Sequence, residues 1–504
     1  MGALIYVVTR PGGAASGPAV GPAAGPGSQV ASGPDVLPDP SIALADDVVV
    51  VRGGGGKTVK AVGSDGRSMV LDGSVAGVDT LAAGKVLLLT GITAATVTSV
   101  TKQGSDVKVG LAPAALPDVV KNANLKWADQ AADPSTGVLM SSPDAPQTTD
   151  SVAPTDSVAP TDSVVPTETA HPTGSVASTD TAAPTDSVAP TDGVAPATGA
   201  LTGADTPDGV GPSIANIVKG PGLLAGAIHS SSGPQAQGTV AGVGYSLSWI
   251  PSLDGSQEFK LSLRSAALSG SLDADIHLDA LVGSGAAVVS NGRVTNFVDS
   301  FKALSGTADF KAQVTAPSNT ATARTPKFVV VPAHVLIPFP IGGMPFSINL
   351  RFTFSIVLSI ALAGDTIGGQ VHISYSGDAG FQMSNGALTL TGSRTQNSPN
   401  PLSSAQGGRL GPVGMVVTDE IPKLGFGFYF GWIGSGVFLS NGFAAAEFIA
   451  GGSPVPCRQM QNAYVLAGGI EANFLKLKKD LVRQAIVTKT WNNSAPDDPS
   501  CSGS

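Results

Sequence analysis

Four side chains of the kinds that bind metal ions alternate along one short segment of the chain: Asp273, Asp275, His277 and Asp279. If this segment is a β-strand, alternation places all four on one face, with about 7 Å between successive members. Carboxylate and imidazole groups together can hold a divalent cation. Positions along a single strand seldom converge on one ion without a ligand from a neighbouring strand, and charges on a solvent-facing strand need no ion. A metal site and a solvated face are therefore both kept as interpretations.

The chain contains 2 cysteines, Cys457 and Cys501, and both lie in its last fifty residues. Because a metal or catalytic thiol would need partners nearby, the pair predicts one disulfide that ties the C-terminal tail to the last domain in an oxidising compartment. Asn492 begins an Asn-Asn-Ser sequon, which is a glycosylation acceptor only in a compartment that glycosylates. Both features fit an extracellular or cell-envelope location.

No short motif indicates catalysis or nucleotide binding. The glycine-rich segment 52–58 is similar to a phosphate-binding loop, but the motif requires glycine at the position occupied by Val51, so a hairpin turn is predicted instead. The sequence has no Gly-x-Ser-x-Gly elbow and no His-Glu-x-x-His motif. We expect a non-catalytic protein without a cofactor. A hydrolase stays an alternative, because a triad of residues distant in sequence leaves no local pattern.

Composition limits the class of protein. Of the 504 residues, 13% are charged, against about 25% in an average soluble protein, while 64 are glycine and 38 are proline. Such a chain disfavours long helices and favours strands and turns. The net charge of −9 argues against a nucleic-acid partner, since phosphate binding needs clustered Lys and Arg. The first eleven residues have too short an apolar run to be a convincing secretory signal.

The elements that must carry these residues are predicted to be strands. Residues 346–362 alternate without a break between large apolar and mostly small or polar side chains, which is a strand of unusual length, about 55 Å if straight. Residues 424–446 are uncharged and long enough to cross a membrane as a helix. Their aromatic residues alternate with glycine, so a strand is predicted there too. No transmembrane helix is expected.

The chain divides into four segments. Residues 1–36 form a Gly/Ala/Pro leader that we expect to be disordered, and residues 37–135 a small β domain with a hairpin around 102–105 and a possible helix at 116–123. Residues 136–211 form a disordered linker. Residues 212–504 form a large β domain with a short C-terminal helix at 474–486 and a tail. The fold is predicted to be mainly β, with a C-terminal antiparallel β-sandwich or long curved sheet.

The linker contains a repeat. From residue 149 to residue 196 a six-residue unit recurs eight times, most often as Thr-Asp-Ser-Val-Ala-Pro. Proline at the sixth position of seven of the eight units excludes helix and interior strand, and the repeat has no large apolar side chain to bury. The composition is typical of extended, self-repelling stalks that hold extracellular domains apart.

Two segments carry a resemblance to known proteins. The first segment is residues 85–127, which begin KVLLLTG and end NLKW and in which an A-x-L-x-D stretch (Ala114, Leu116, Asp118) follows a predicted hairpin. The second segment is residues 339–352, which read FPIGGMPFSINLRF. Both resemble segments of uncharacterised secreted multidomain surface proteins of bacteria, in which a PIGG-x-P turn enters a long strand of a large β region. The resemblance implies an extracellular or envelope location and carries no functional residues.

The leading expectation is a secreted or cell-surface β protein for adhesion, surface structure or ligand capture. Its partner would be a surface polymer, a surface protein or an apolar ligand. One alternative is a carrier of lipid or another apolar molecule, in which the apolar face of the long strand lines a cavity. What that face touches decides between a packed core and a hollow one.

Overall fold

A computed structural model describes the chain at residues 30–63, 67–141, 233–240, 242–265, 269–302, 305–316, 329–358, 363–384, 387–398, 406–407, 413–431, 433–450, 457–477 and 484–495. The expectations for the repeat, for most of the leader and for the C-terminal tail lie outside the described residues. Residues 30–36, which the sequence assigned to the leader, pack on the first β region, where the Gly33 amide donates to the Gly91 carbonyl at 2.6 Å.

The described residues before the repeat form nine strands and one short α-helix. They are β1 (Ala43–Leu44), β2 (Val48–Val51), β3 (Val59–Val62), β4 (Ser68–Asp72), β5 (Val86–Leu89), β6 (Thr93–Gln103), β7 (Asp106–Pro113), α1 (Leu116–Val119), β8 (Val120–Ala131) and β9 (Val138–Ser141). Three 3-10 turns lie at Gly54–Gly56, Val78–Thr80 and Pro134–Thr136.

The described residues after the repeat are almost entirely strands. They are β10 (Gln235–Val240), β11 (Val243–Pro251), β12 (Gln257–Ser265), β13 (Gly270–Leu278), β14 (Val282–Ser290), β15 (Arg293–Lys302), β16 (Gly306–Thr315), β17 (Val329–Pro338), β18 (Ser347–Leu358), β19 (Thr366–Ser384), β20 (Ala387–Asn397), β21 (Gln406–Gly407), β22 (Val413–Phe430), β23 (Ile433–Ala450), β24 (Cys457–Glu471) and β25 (Gln484–Ala495).

Three sheets are formed. The small sheet has the order β2-β5-β6-β7-β4-β3, the large sheet β1-β8-β14-β15-β19-β16-β13-β12-β11-β10 with β20 and β21 also on β19, and the long-strand sheet β25-β24-β23-β22-β18-β17-β9. The hairpin predicted around 102–105 is confirmed as β6–β7, with Gln103 opposite Asp106. Within the described residues, only β2 and β5 pair in parallel.

The large sheet and the long-strand sheet face each other as an antiparallel sandwich. The ring of Phe352 on β18 lies 4.9 Å from that of Phe259 on β12, and Phe310 stacks on Phe443 at 5.1 Å. Alternation explains the packing, because every second residue of β18 from Ile348 to Phe354 is apolar and buried. The apolar face of the long strand therefore touches a second sheet, and the predicted mainly β fold is confirmed.

The two β regions are in direct contact, which differs from the expectation of two units held apart by a stalk. β8 pairs with β14 in the large sheet, and β9 pairs with β17 in the long-strand sheet. In return, Phe430 and Ile433, at the tip of the β22–β23 hairpin, lie in the core of the small sheet. The reason is that β8 is amphipathic, so it needs an apolar surface that the small sheet does not supply.

Three local expectations differ from the structure. The predicted strand at 424–446 is the β22–β23 hairpin, because Gly431 adopts a positive φ of 54° and turns the chain. The predicted helix at 474–486 is not found in its described residues, since 474–477 form turn and coil with Lys476 at a positive φ of 49°, and β25 begins at Gln484, while 478–483 lie outside the description. The predicted helix at 116–123 is only α1, after which β8 begins.

Candidate functional site

One carboxylate on the outer face of the long-strand sheet is contacted by two cationic side chains and one tyrosine. Arg351 on β18 donates from Nη2 to both carboxylate oxygens of Glu471, at 2.8 and 2.6 Å. Lys423 Nζ lies 2.7 Å from Glu471 Oε1, and the Tyr429 hydroxyl donates to Oε2 at 2.9 Å. We call Arg351, Lys423, Tyr429 and Glu471 the Glu471 cluster.

The strand register places this cluster. Arg351 lies directly opposite Lys423, on the face of β18 that points away from the sandwich core. β18 and β24 are separated by β22 and β23, about 14 Å in a flat sheet. Their side chains still meet at one carboxylate, so the sheet curves toward this face. Glycines make room, because a Cβ at Gly436 would lie 2.8 Å from the Tyr429 hydroxyl.

The cations decide the protonation state of Glu471. Burial alone would raise the pKa of this carboxyl, but attraction to Arg351 and Lys423 outweighs burial and holds the pKa at about 2. Burial and the neighbouring Glu471 carboxylate raise the pKa of Tyr429 well above its usual value. His334, opposite Arg351 on β17, is buried, and burial together with the Arg351 charge lowers its pKa to about 3. The cluster therefore has fixed charges at neutral pH.

Chemically, the Glu471 cluster is suited to holding rather than to proton transfer. A carboxylate with a pKa of about 2 is a weak base at neutral pH, and its oxygens are already occupied by three donors. Lys423 also lies over the Phe438 ring, 4.0 Å from its centroid, which is a cation–π contact. The cluster joins β18, β22 and β24 through side chains on the outer face, where Tyr429 also packs in a small apolar cluster with Ala31, Met140 and Leu336.

A second carboxyl, Glu447, lies between the two sheets of the sandwich. It points into a cavity of about 20 Å³, measured as the space open to the centre of a water molecule, which is room for one water. Apolar side chains line the cavity, among them Phe310, Met415 and Met460. Neither oxygen of Glu447 has a hydrogen-bond partner among the described residues. Burial raises its pKa to about 8, against a smaller opposing effect of Arg458.

A third carboxyl, Asp299, is completely buried on the inner face of the large sheet. It lies between Phe297 and Phe301 along β15 and opposite Gly285 and Phe381 on the neighbouring strands. Its oxygens make no hydrogen bond of ordinary geometry within the described part of the chain. Burial raises its pKa to about 8, with the Ser300 backbone amide acting in the opposite direction.

The residues considered for a metal site lie on β13 and just after it, and each has a charged or ionisable partner nearby. Arg264 donates from Nη2 to both oxygens of Asp273, at 2.7 and 3.0 Å. Asp275 is 3.9 Å from Lys260 Nζ, and His277 Nε2 is 3.5 Å from Asp279. These side chains are about half exposed. Across the residues with described positions, no group of three or more His, Cys, Asp or Glu is arranged to hold a metal ion.

The neighbouring strands continue this row of charges. Asp309 on β16 lies opposite Asp275, and His372 on β19 lies opposite Asp309, with 2.7 Å between His372 Nδ1 and Asp309 Oδ1. Burial and the nearby Glu258 carboxylate raise the pKa of Asp275. The outer face of the large sheet is thus a ladder of cross-strand charge pairs.

The other predicted sites are only partly described. Cys457 begins β24, but Cys501 lies outside the described residues, so their disulfide stays a prediction. Asn492 lies on β25, where its backbone pairs with Gln461. Its side chain lies outside the description, and glycosylation also stays a prediction.

Sequence reasoning missed the Glu471 cluster. Its signal was weak but present, because Arg351 is the single charge in the alternating run 346–362, on the parity opposite the large apolar residues. Lys423 and Glu471 likewise border long uncharged stretches. Such a charge, if the strand buries it, needs either an oppositely charged partner or neutralisation by a shift of its pKa. The sequence alone does not show which partner it is.

Two family models match the chain. Residues 28–122 match "Domain of unknown function (DUF8403)", and residues 258–493 match "Domain of unknown function (DUF8402)". No curated protein and no solved structure matches the chain significantly. The two matched ranges are in contact in the fold, since β8 begins within the first range and pairs with β14 in the second. Across the described residues, no helix has the length and apolar character needed to cross a membrane.

Proposed function

We propose that the protein is a non-catalytic, secreted or surface-attached β protein that serves surface structure, adhesion or ligand capture. The observation that carries the proposal is the contact between the apolar face of β18 and the large sheet, where Phe352 packs on Phe259. A sandwich whose long strand is engaged in this way acts as a rigid body. A partner would then contact the outer faces of the sandwich or the repeat.

The position of the repeat supports this layout. The chain enters the repeat segment after β9 and leaves it before β10, and these two strands lie within 8 Å of each other. Gly137, before the segment, and Gly233, after it, both pack against Trp249. The chain therefore leaves the described fold before residue 142 and re-enters it after residue 232 at one place, and the Thr/Ser/Pro hexads lie in the sequence between these two points. A surface polymer or a surface protein is the partner that such a body would contact.

Cell fractionation tests the location. Intact producing cells would be treated with a protease that cannot enter them, and the protein followed with antibodies to the large β domain. We expect the protein in the medium or among the shaved surface proteins. A pool found only in the cytosol would contradict the proposal.

A matched pair of repeat variants tests the adhesive role. One variant deletes residues 149–196, and the other replaces them with 48 residues of the same composition in shuffled order. If the hexads act as a presented segment, deletion lowers attachment of protein-coated beads to the producing surface several-fold, while shuffling leaves it unchanged. Equal attachment by the deletion variant, the shuffled variant and the unsubstituted protein would show that the repeat has no adhesive role.

A carrier function is the second candidate, and the Glu447 cavity favours it. A protonated carboxyl among apolar side chains suits an apolar molecule with one hydroxyl or carbonyl group. The cavity holds one water at its present size, so a larger ligand requires movement of Met415 and Met460, whose side chains are adaptable. Mass spectrometry of a denaturing extract would detect such a ligand. An extract without any lipid or other apolar molecule would dispose of this candidate.

A further inference from the structure

The N-terminal β region completes the sandwich in the manner of a separate partner. Residues 30–141, which we call the donor unit, supply β1 and β8 to the large sheet and β9 to the long-strand sheet. Residues 233–495, which we call the acceptor, supply the remaining strands of both sheets. β8 pairs with β14 along Ala123–Ala131, although about 150 residues separate the two strands in sequence.

The contacts between donor unit and acceptor are extensive and of several kinds. The ring of Trp127 lies 5.8 Å from that of Phe426, inside the sandwich. The Leu116 amide donates to the Phe474 carbonyl at 2.8 Å, and Gln130 Nε2 donates to the Pro340 carbonyl at 2.9 Å. Further polar contacts join the two parts: Lys302 to Asp129, Lys476 to Asp118, Ser435 to Ala114, and Asp39 to Gly342.

The acceptor also enters the donor unit. Phe430 and Ile433 leave the long-strand sheet at the tip of the β22–β23 hairpin, and both are nearly fully buried in the core of the small sheet. Each part therefore buries apolar side chains of the other, as in a protein–protein interface with a hydrophobic centre.

The chain between the two parts does not dictate which acceptor a donor unit fills. Residues 142–232 number 91, and a chain of that length spans at most about 300 Å. The two attachment points lie on neighbouring strands, so the tether is far longer than the gap it bridges. The effective concentration of a donor unit at its own acceptor falls with tether length and is on the order of millimolar or lower. A second copy at comparable local concentration competes.

We propose that the acceptor binds the donor unit of a second copy of this chain, so that residues 142–232 link neighbouring molecules. The interface is the one already present within a single molecule, with β8, β9 and the Phe430–Ile433 tip exchanged between copies. In dilute solution the monomer prevails. At high local concentration, exchange joins molecules. The inference rests on packing and does not depend on where the protein is located.

Cutting the tether tests whether the parts are held without a covalent link. A protease recognition sequence is placed between residues 142 and 232 of the full chain, and the purified protein is cut. At micromolar concentration we expect both pieces to elute together, with the mass of the uncut protein by light scattering. Separation of the pieces under these conditions would overturn the proposal.

Exchange between copies is measured on the same protein. One cut preparation has an affinity tag at its N-terminus, and the other is untagged and isotopically labelled. The two are mixed in equal amounts in urea below the unfolding transition and diluted, and the tagged donor unit is captured. We expect about half of the captured acceptor to be labelled. Captured acceptor that stays unlabelled would contradict exchange.

Two hairpin-tip variants provide the matched comparison. Ile433→Asp puts a charge into the donor core, whereas Leu253→Asp puts the same charge on the exposed tip of the β11–β12 hairpin. In the cut protein, Ile433→Asp should raise the dissociation constant of the two pieces at least tenfold and Leu253→Asp should leave it unchanged. Circular dichroism of the uncut variants checks folding, and Ile433→Ala replaces Ile433→Asp if the charged variant unfolds. Equal dissociation constants for the tip variants would refute this interface.

Discussion

Two glutamates on neighbouring strands of one sheet have opposite protonation states. Glu447 on β23 and Glu471 on β24 are both largely removed from water. Burial raises the pKa of Glu447 to about 8, whereas at Glu471 the attraction of Arg351 and Lys423 overcomes burial and lowers the pKa to about 2. The first is therefore a neutral acid at pH 7, and the second is a carboxylate. Residue type and burial do not decide the charge; the neighbouring cations do.

The difference follows from the two faces of the long-strand sheet. Glu447 points to the inner face, where the large sheet offers only apolar groups and Gly369. Glu471 points to the outer face, where the polar residues of β18 and β22 lie. A buried carboxyl without a cation is kept neutral, because ionising it in an apolar medium costs more than holding a proton.

The largest effect is expected from removing the charge of Glu471. Glu471→Gln keeps the shape of the side chain but leaves Arg351 and Lys423 without their counter-charge, so the free energy of unfolding should fall by about 3–5 kcal/mol. Urea unfolding followed by tryptophan fluorescence measures it. Asp273→Asn is the control, because its ion pair with Arg264 is exposed and should contribute less than about 1 kcal/mol. Similar losses in the two variants would mean that the cluster behaves as a surface pair.

Opposite pH dependence should distinguish the two glutamates. Between about pH 4.5 and pH 8 the unfolded chain loses the Glu447 proton and the folded chain keeps it, so this group's contribution to stability falls by about 1.4 kcal/mol per unit as pH rises. Glu471 contributes above pH 4.5 and loses that contribution as pH falls toward 2.

Unfolding free energies measured at steps of half a pH unit test the direction in which stability changes with pH for each glutamate. Glu447→Gln should flatten the decline between pH 5 and pH 8, and Glu471→Gln should flatten the loss below pH 4.5. Asp299 remains in both variants, and it contributes its own decline up to about pH 8. A Glu447→Gln profile parallel to that of the unsubstituted protein would show that Glu447 is ionised in the fold.

Two glycine substitutions test the packing around the two glutamates rather than their charge. Gly434→Ala places a methyl group into the rigid ring of Tyr429, and we expect a loss of about 3 kcal/mol. Gly369→Ala places one 2.6 Å from Glu447 Oε2, at the end of a flexible side chain that can shift into the cavity, so about 1 kcal/mol is expected. Thermal unfolding of the two variants ranks them, and the reverse order would contradict the assigned packing.

The smallest effect concerns two tyrosine hydroxyls. Tyr429→Phe removes a hydrogen bond to a carboxylate and should cost about 1–2 kcal/mol. In the matched variant Tyr245→Phe, the hydroxyl is buried without a hydrogen-bond partner among the described residues, so its removal should be neutral or stabilising. Chemical unfolding of both variants checks the difference. A greater loss for Tyr245→Phe would contradict the described hydrogen bonding.

The prediction of fold from sequence succeeded where the signal is local. Alternation in 346–362 predicts β18, and Gly104 between two alternating runs predicts the β6–β7 hairpin. It failed where backbone angles override the pattern. The turn at Gly431 divides a run that reads as one strand, and positive φ angles at Ala472, Asn473 and Lys476 turn the chain where a run that reads as a helix begins. Gly431 is one of several glycines that alternate with aromatic residues, so it did not stand out as a turn.

The candidate site was less accessible to sequence reasoning. Asp273 and its alternating neighbours were identified as sharing one face of a strand, and they lie on β13, but their partners Arg264, Lys260 and Asp309 depend on strand order. The Glu471 cluster joins residues up to 120 positions apart. Register across four strands brings them together, and no periodicity within a single segment contains that register.

The amino-acid sequence by itself determined which segments become strands and which face of each strand is apolar, because side-chain alternation is a property of the local backbone. It also determined the place of the repeat between two β regions. Only the tertiary structure decided that these regions share their sheets, that Glu471 meets two cations and Glu447 none, and that the long strand rests on a second sheet. Those outcomes depend on strand order and sheet curvature, which arise from contacts between residues far apart in the chain.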